Sequence, residues 1–395
     1  MAQTFATIDM ITRESQLVLH STASFLKTVN RSFDDSFAKT GAKIGDSLRV
    51  RLPARHTIRT GRVMSVQDVA DESVTLTCAT QKGVDMRFTS AEQALGIDYL
   101  SERYIRPAIK LLVSEIEKDA ITGLTPIVGN LSGTAGTAMS DLAALGDARA
   151  KLNGQACPMS DRSIMMDSVQ MSGMVNGLKG LFQDSAQIKE AMREGFYGRL
   201  AMGDLYENER LYTQTTGADV SGTLNTVTLA NGDTTVAVTS FTPAAGDVFT
   251  IAGVYAVHPE TKQSLGYLKQ WSVASYNAGT VTLNETVYVS GAKQNCSVAS
   301  SYSTTGAVVA VGNASTAYRQ GLMYHKDAFA FVTADLPIMS SAEKCVRMAE
   351  DGISVRVWQG PDIVNDELLT RIDILYGYKA IRPEWACRLI GAASA

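Results

Sequence analysis

Residues 317–332 read Ala317-Tyr-Arg-Gln-Gly-Leu-Met-Tyr-His-Lys-Asp-Ala-Phe-Ala-Phe-Val332, with Leu336-Pro337 just beyond. Every position from Ala328 to Val332 is apolar. A continuous apolar run of that length is the pattern of a strand buried on both faces. Downstream, Ser354-Val-Arg-Val-Trp358 alternates as a half-buried strand does. Leu368 to Tyr376 predicts a final strand, closed by Gly377.

Upstream of this α/β region the composition changes. Only eight charged residues fall between positions 215 and 315: Asp219, Asp233, Asp247, Glu260, Lys262, Lys269, Glu285 and Lys293. Strand-like runs recur there between turn signals, at Thr226–Leu229, Val236–Val238, Val248–Ile251, Trp271–Val273, Val281–Leu283 and Thr286–Val289. They predict a small barrel or sandwich of about six strands, inserted in a mixed chain.

Further back, Ile105, Ile109, Leu112, Ile116 and Ala120 form one stripe of a helix running from about Ile97 to Thr122. Ser90-Ala-Glu-Gln93 is a capping-box signal before it, Pro107 marks a kink or the true start, and Gly123 the stop. A loop follows at 125–140, then a helix at about 140–152, a buried strand at Ser163–Met166, and methionine-rich helical segments over 168–212. Residues 46–90 alternate: Leu48, Val50 and Leu52 oppose Ser47, Arg49 and Arg51, and Pro53 ends that strand. Two more alternating runs, Val74 to Cys78 and Val84 to Phe88, complete an antiparallel set. The segment between the first two carries Arg55, Arg59 and Arg62, then Asp68, Asp71 and Glu72. Such a strand pair has no core of its own and must lie on another surface, in the same chain or a neighbour. Residues 1–45 read as an arm. Ile11, Val18, Phe25, Leu26 and Val29 fall at near-helical spacing, which an ordinary first helix of the domain fits equally well.

The chain has 395 residues, enough for two or three domains, and 19% of them are charged, below the average of about 25%. The net charge of -4 provides no global basic field for nucleic acid. Five scattered cysteines, an odd number, make neither a disulfide framework nor a zinc knuckle and suit a reducing cytosol. There is no signal-peptide pattern and no apolar run long enough to span a membrane, so a soluble protein without membrane partners is expected. We find no phosphate-binding loop, dinucleotide fingerprint, zinc-protease motif or nucleophile elbow. His20, His56, His258 and His325 lie in different segments, and no catalytic, cofactor or metal residue is assigned. The arginines at 49–62 suit acidic groups on adjacent subunits better than nucleic acid, for no aromatic platform accompanies them. The candidate inter-subunit contacts are Arg49, Arg51, Arg55, Arg59, Arg62, Asp68, Asp71 and Glu72.

The run ending His325-Lys-Asp-Ala-Phe-Ala-Phe-Val332, and the late Asp373-Ile-Leu-Tyr-Gly377 with Arg382-Pro-Glu384, resemble the major capsid proteins of tailed phages. The short-tailed-phage branch, which carries an inserted β-barrel, is the nearest in pattern, and Gly246 to Val254 resembles a strand of that insert. The order of elements agrees over nearly the whole chain. The resemblance implies an α+β chain of the Hong Kong 97-type capsid fold. Its parts would be an arm (1–45), an extended β-loop (46–92), a peripheral domain with the spine helix (93–139), an axial domain in two parts (140–212 and 317–375), the β-barrel insert (213–316) and a return to the peripheral domain (376–395). It implies subunits that assemble in the host cytoplasm as hexamers and pentamers and close into an icosahedral virion capsid. Scaffolding protein and a portal would take part, and the shell would enclose double-stranded DNA and expand during packaging. A nanocompartment shell of the same fold, or a hydrolase whose triad assembles from distant residues such as His258 or His325, are the other readings.

Overall fold

A computed structural model describes residues 23–32, 47–64, 66, 72–89, 104, 106–139, 142–178, 199–200, 203–225, 229–299, 306–338, 344–350 and 353–393. The capping box at 90–93 and most of the arm, with Ile11, Val18 and His20, lie outside these residues, as does Ile105. The chain divides into two compact units. One comprises Met1–Val50, Ser73–Ala120 and Phe329–Lys379; the other comprises Arg51–Glu72, Ile121–Ala328 and Ala380–Ala395.

In the first unit the strand Glu367–Ala380 is the organiser. It pairs antiparallel with Ile353–Asp362, which pairs with Lys344–Glu350, and Phe329–Ala334 completes that path. Along Glu367–Tyr376 it also pairs with Thr80–Thr89, so the third alternating run of 46–90 belongs to this sheet. The strand passes straight through Gly377, which was expected to end it. A Cβ there would sit 2.1 Å from the Thr77 carbonyl oxygen, so glycine is required by a close approach and not by a turn. The helix spans Arg106–Leu124, and the predicted stripe of Ile109, Leu112, Ile116 and Ala120 is buried. It does not stop at Gly123. It tightens into a 3-10 turn at Thr125–Ile127, where Pro126 has no amide to continue the ladder. A short helix at Phe25–Thr28 buries Phe25 and Leu26.

In the second unit a seven-stranded mixed sheet runs in the order Leu131–Ser132, Ala386–Ala393, Ala317–His325, Arg162–Met166, Gly203–Glu207 and Arg199–Leu200, with Tyr212–Thr215 pairing Ala317–His325 off this path. Leu145, Leu152, Ile164, Met166, Met171, Met174 and Met323 fill one core with the helices Ala143–Gly154 and Ser168–Leu178. The helical reading of 168–212 holds at Ser168–Leu178, and its residues 179–198, 201 and 202 lie outside the described ones. Gly203–Glu207 is a strand, parallel to Arg162–Met166, with Gly203 and Leu205 buried and Asp204 exposed.

The low-charge segment is a closed six-stranded ring. Ser264–Asn277 pairs with Thr280–Leu283, then follow Thr235–Thr239, Ser221–Leu224, Ala307–Ala310 and Val248–Val257, which pairs back onto Ser264–Asn277. Cys296–Val298 adds to the side of Val248–Val257. Ala278 and Gly279, with φ of 44° and 85°, close the two-residue hairpin in the left-handed conformation that matches strand twist. Phe249, Ile251, Trp271, Val281 and Val308 point into the ring. Thr286–Val289, expected as a strand, is not one. The Val287 amide donates to the Asp233 carbonyl at 2.8 Å, and side chains take the next two amides: Asn295 Oδ1 accepts from Tyr288 at 2.9 Å and Asn231 Oδ1 from Val289 at 2.8 Å. Replacing the fully buried Phe249 by Ala should cost about 3–5 kcal/mol, read as a fall in the denaturation midpoint with little change in slope.

Candidate functional site

Nothing in the described residues is arranged for catalysis. No group of three or more His, Cys, Asp or Glu there could hold a metal ion. His56 is exposed, and His258 Nδ1 accepts from the Glu260 amide in a tight turn. His325 is buried, accepts from the Asp327 amide at 3.2 Å and meets the Trp385 ring edge-on. Burial holds its pKa below the ordinary value. All five thiols are free. The informative features are surfaces and the joints behind them.

The segment 51–66 is a limb without a core. Val50 is buried and Leu48 and Leu52 half-buried, while Arg49 and Arg51 are exposed, as the alternation predicts. From Arg55 to Met64 every residue is exposed, and Ile58, Val63 and Met64 show 95%, 84% and 77% of their surface. Apolar side chains in such a run mark an interaction surface. Arg55 pairs with Glu384 at 3.5 Å, and Glu72 with Lys293. Arg59 donates to the Gly61 carbonyl, and Arg62 is exposed. Asp68 and Asp71 lie outside the described residues. A cavity of about 780 Å³ opens beside the limb, lined by Arg55, Glu72, Lys262, Arg382, Glu384 and Trp385 among others. Arg382 stacks on the Trp385 ring at 4.1 Å. Burial raises the Glu384 carboxyl, the neighbouring Glu285 adds to it, and Arg55 and Arg382 oppose. Burial also lowers the Lys262 ammonium, whose Nζ donates to the Ala292 carbonyl at 2.6 Å. Sequence reasoning selected one member of each ion pair and missed Glu384 and Lys293. Only the fold brings positions 55 and 384 together.

A second feature is the root of the barrel. Arg388 is fully buried. Its guanidinium donates to the carbonyls of Val128 at 2.7 Å, Pro126 at 2.8 Å and Gly246 at 2.6 Å, and to Gln320 Oε1 at 3.3 Å. Beside it Asp247, also buried, accepts from the amides of Gly217 at 2.9 Å and Ala244 at 2.8 Å and from Gln214 Nε2 at 2.8 Å. Burial raises the Asp247 carboxyl and pushes Arg388 down to about 10. The two residues thus join the barrel's entry, its 244–247 turn, the segment after the long helix and the last strand. Arg388→Met should cost about 3–5 kcal/mol, because the carbonyls of Val128 and Gly246 lose a charged donor in a dry site. Arg388→Lys should not restore it, since one ammonium cannot span the fork. Chemical denaturation of the three proteins reads both results.

In the first unit the ionic joints are of two kinds. Glu117 is buried and accepts from Ser24 Oγ at 3.3 Å and from the Phe25 amide, fixing residues 24–28. Arg356 and Asp373 are buried together at 2.5 Å, whereas Arg371 and Asp85 meet in the open at 2.7 and 2.9 Å. The Arg371 hydrogen bonds hold Asp85 below its ordinary 3.8. A depressed carboxyl stabilises the fold above its unfolded value, and that contribution is lost as pH falls through the folded one. Asp85→Asn should therefore flatten the acid limb of a stability–pH curve below about pH 4, with little effect at pH 7 beyond a surface ion pair's ~0–1 kcal/mol.

The described residues thus show an exposed apolar and charged limb and a barrel with its own core. The family model described as P22 coat protein - gene protein 5 matches residues 27–391. The chain belongs to the P22 coat protein family: it is a bacteriophage major capsid protein that forms the icosahedral shell of the virion, and it is not an enzyme. Solved structures similar to it include Mycobacterium phage Che8, at 13% identity and TM-score 0.48, covering 92% of this chain and 90% of that one. The capsid of Ralstonia phage GP4 gives 7% identity and TM-score 0.48 over 91% and 86%. An acid-stable capsid of Helicobacter pylori bacteriophage KHP30 gives 11% and 0.41 over 90% and 87%. No curated protein matches the chain.

Proposed function

We propose that the subunit has the Hong Kong 97-type fold and assembles, in the host cytoplasm, as hexamers and pentamers around a portal, with a scaffolding protein. The shell would then expand as double-stranded DNA is packaged. The family match over residues 27–391 carries this reading. In this scheme the arm is 1–45, the extended β-loop 46–92 and the peripheral domain 93–139 with the return at 376–395. The axial domain is 140–212 and 317–375, and 213–316 is the insert. The closed ring of strands between Ser221 and Ala310 supports the last assignment, because it has its own core.

Arg49, Arg51, Arg55, Arg59, Arg62, Asp68, Asp71 and Glu72 are the proposed contacts between subunits. The limb's exposure and its apolar tip support a neighbouring copy as their partner. No phosphate-binding geometry surrounds these arginines in the described residues, which fits a shell that encloses DNA without reading it. Electron microscopy of the purified protein, alone and with candidate scaffold genes, tests the scheme. Closed shells of uniform diameter with scaffold are expected, and a monodisperse monomer under both conditions would overturn it. Arg59→Glu with Arg62→Glu should leave the melting temperature within about 2 °C, as surface changes do, and cut the yield of closed shells severely.

A further inference from the structure

The limb's two ion pairs are made within one chain. Arg55 reaches Glu384 in the segment before the last strand, and Glu72 reaches Lys293 on the barrel. All four side chains are a quarter to two-fifths exposed, so each pair is weak and open to salt. Between these points the limb does not seat tightly. The cavity of about 780 Å³ stays open against it, and Ile58, Val63, Met64 and Val66 face solvent at 77–95% exposure. A segment held at its ends by charges, with its apolar residues turned outward, is clasped without being packed.

We infer that this clasp is an autoinhibitory contact: in the unassembled subunit it holds the limb back from neighbouring copies, and its opening sets the rate of assembly. The inference rests on the proposed role of the limb as a subunit contact. The two pairs are weak, so release costs little, and against a neighbouring copy the apolar tip gains cover that it lacks in the single subunit.

The test uses the full chain in four forms: wild type, Arg55→Glu, Glu384→Arg and the double swap, with Glu72→Gln as a milder variant. Limited trypsin digestion of unassembled subunit at Arg59 and Arg62 reads limb release, and light scattering with scaffold reads the onset of assembly. The clasp predicts cleavage about fivefold faster in each single variant and in Glu72→Gln. It predicts earlier assembly in Glu384→Arg, which leaves the limb's own contact residues intact, and a return of cleavage towards wild type in the double swap. Moderate salt should speed cleavage of the wild type and leave Glu72→Gln less affected. Unchanged cleavage in every variant, or faster cleavage with delayed assembly in Glu384→Arg, would overturn the clasp while leaving the limb a contact. Failure of the wild type to form any shell would instead remove the assembly scheme beneath it.

Discussion

A guanidinium with no exposed surface must find acceptors inside the protein, and Arg388 finds four on three separate segments. A buried guanidinium without acceptors would carry its full desolvation cost, so removing the acceptors costs more than the joint itself. This condition fixes where the barrel leaves the mixed sheet. Gly217, at the barrel's entry, has no room for a Cβ: the Thr242 carbonyl oxygen would lie 2.1 Å away. Asp247 collects the amides that such a tight crossing leaves unpaired. Ser272 and Gln270 then bind the Ile127 carbonyl and the Leu131 amide, so the barrel wall holds the segment that follows the long helix. The ring of strands is therefore no pendant on a linker. It is built into the second unit through buried polar contacts.

How much of this could be read in the sequence followed the size of the signal. The helix at 106–124 announced itself through Ile109, Leu112, Ile116 and Ala120, a stripe long enough to outvote Pro107. The barrel's longer strands carried Val, Ile and Trp on one face and were found, although Ser221–Leu224, Cys296–Val298 and Ala307–Ala310 were not. Those are three or four residues long and exist because neighbours offer a ladder. The opposite error, at Thr286–Val289, has the same origin. Val287 is fully buried and alternation is present, but Asn295 and Asn231 take the amides of Tyr288 and Val289 that a ladder would need. Ala386–Ala393, the strand that carries Arg388, was missed altogether, since its small residues have no period of their own.

The limb was legible as a limb and not as a set of partners. Alternation at 48–52 and the lack of any apolar pattern beyond Pro53 showed a strand leading into an uncored segment. Charge partners at separations of 329 residues, as for Arg55 and Glu384, have no local trace. Glu384 did stand in one of the runs that resembled the capsid family, where it was a signature without a role. The fold gives it one, as a half-buried carboxylate whose burial is offset by two arginines.

The two kinds of joint suit two demands on a subunit that must stay folded while its contacts change. Arg388 and Asp247, each on its own buried acceptors and donors, and the Arg356–Asp373 pair are dry, so salt and solvent hardly reach them. Breaking them would unfold part of a unit. The pairs of Arg55 and Glu72 are wet, and each holds with an energy near the thermal scale. A shell protein that used dry pairs on its limb could not release it, and one that used wet pairs at the barrel root could not hold its shape. The sorting of charges by burial lets one chain be rigid in its units and adjustable at its surface.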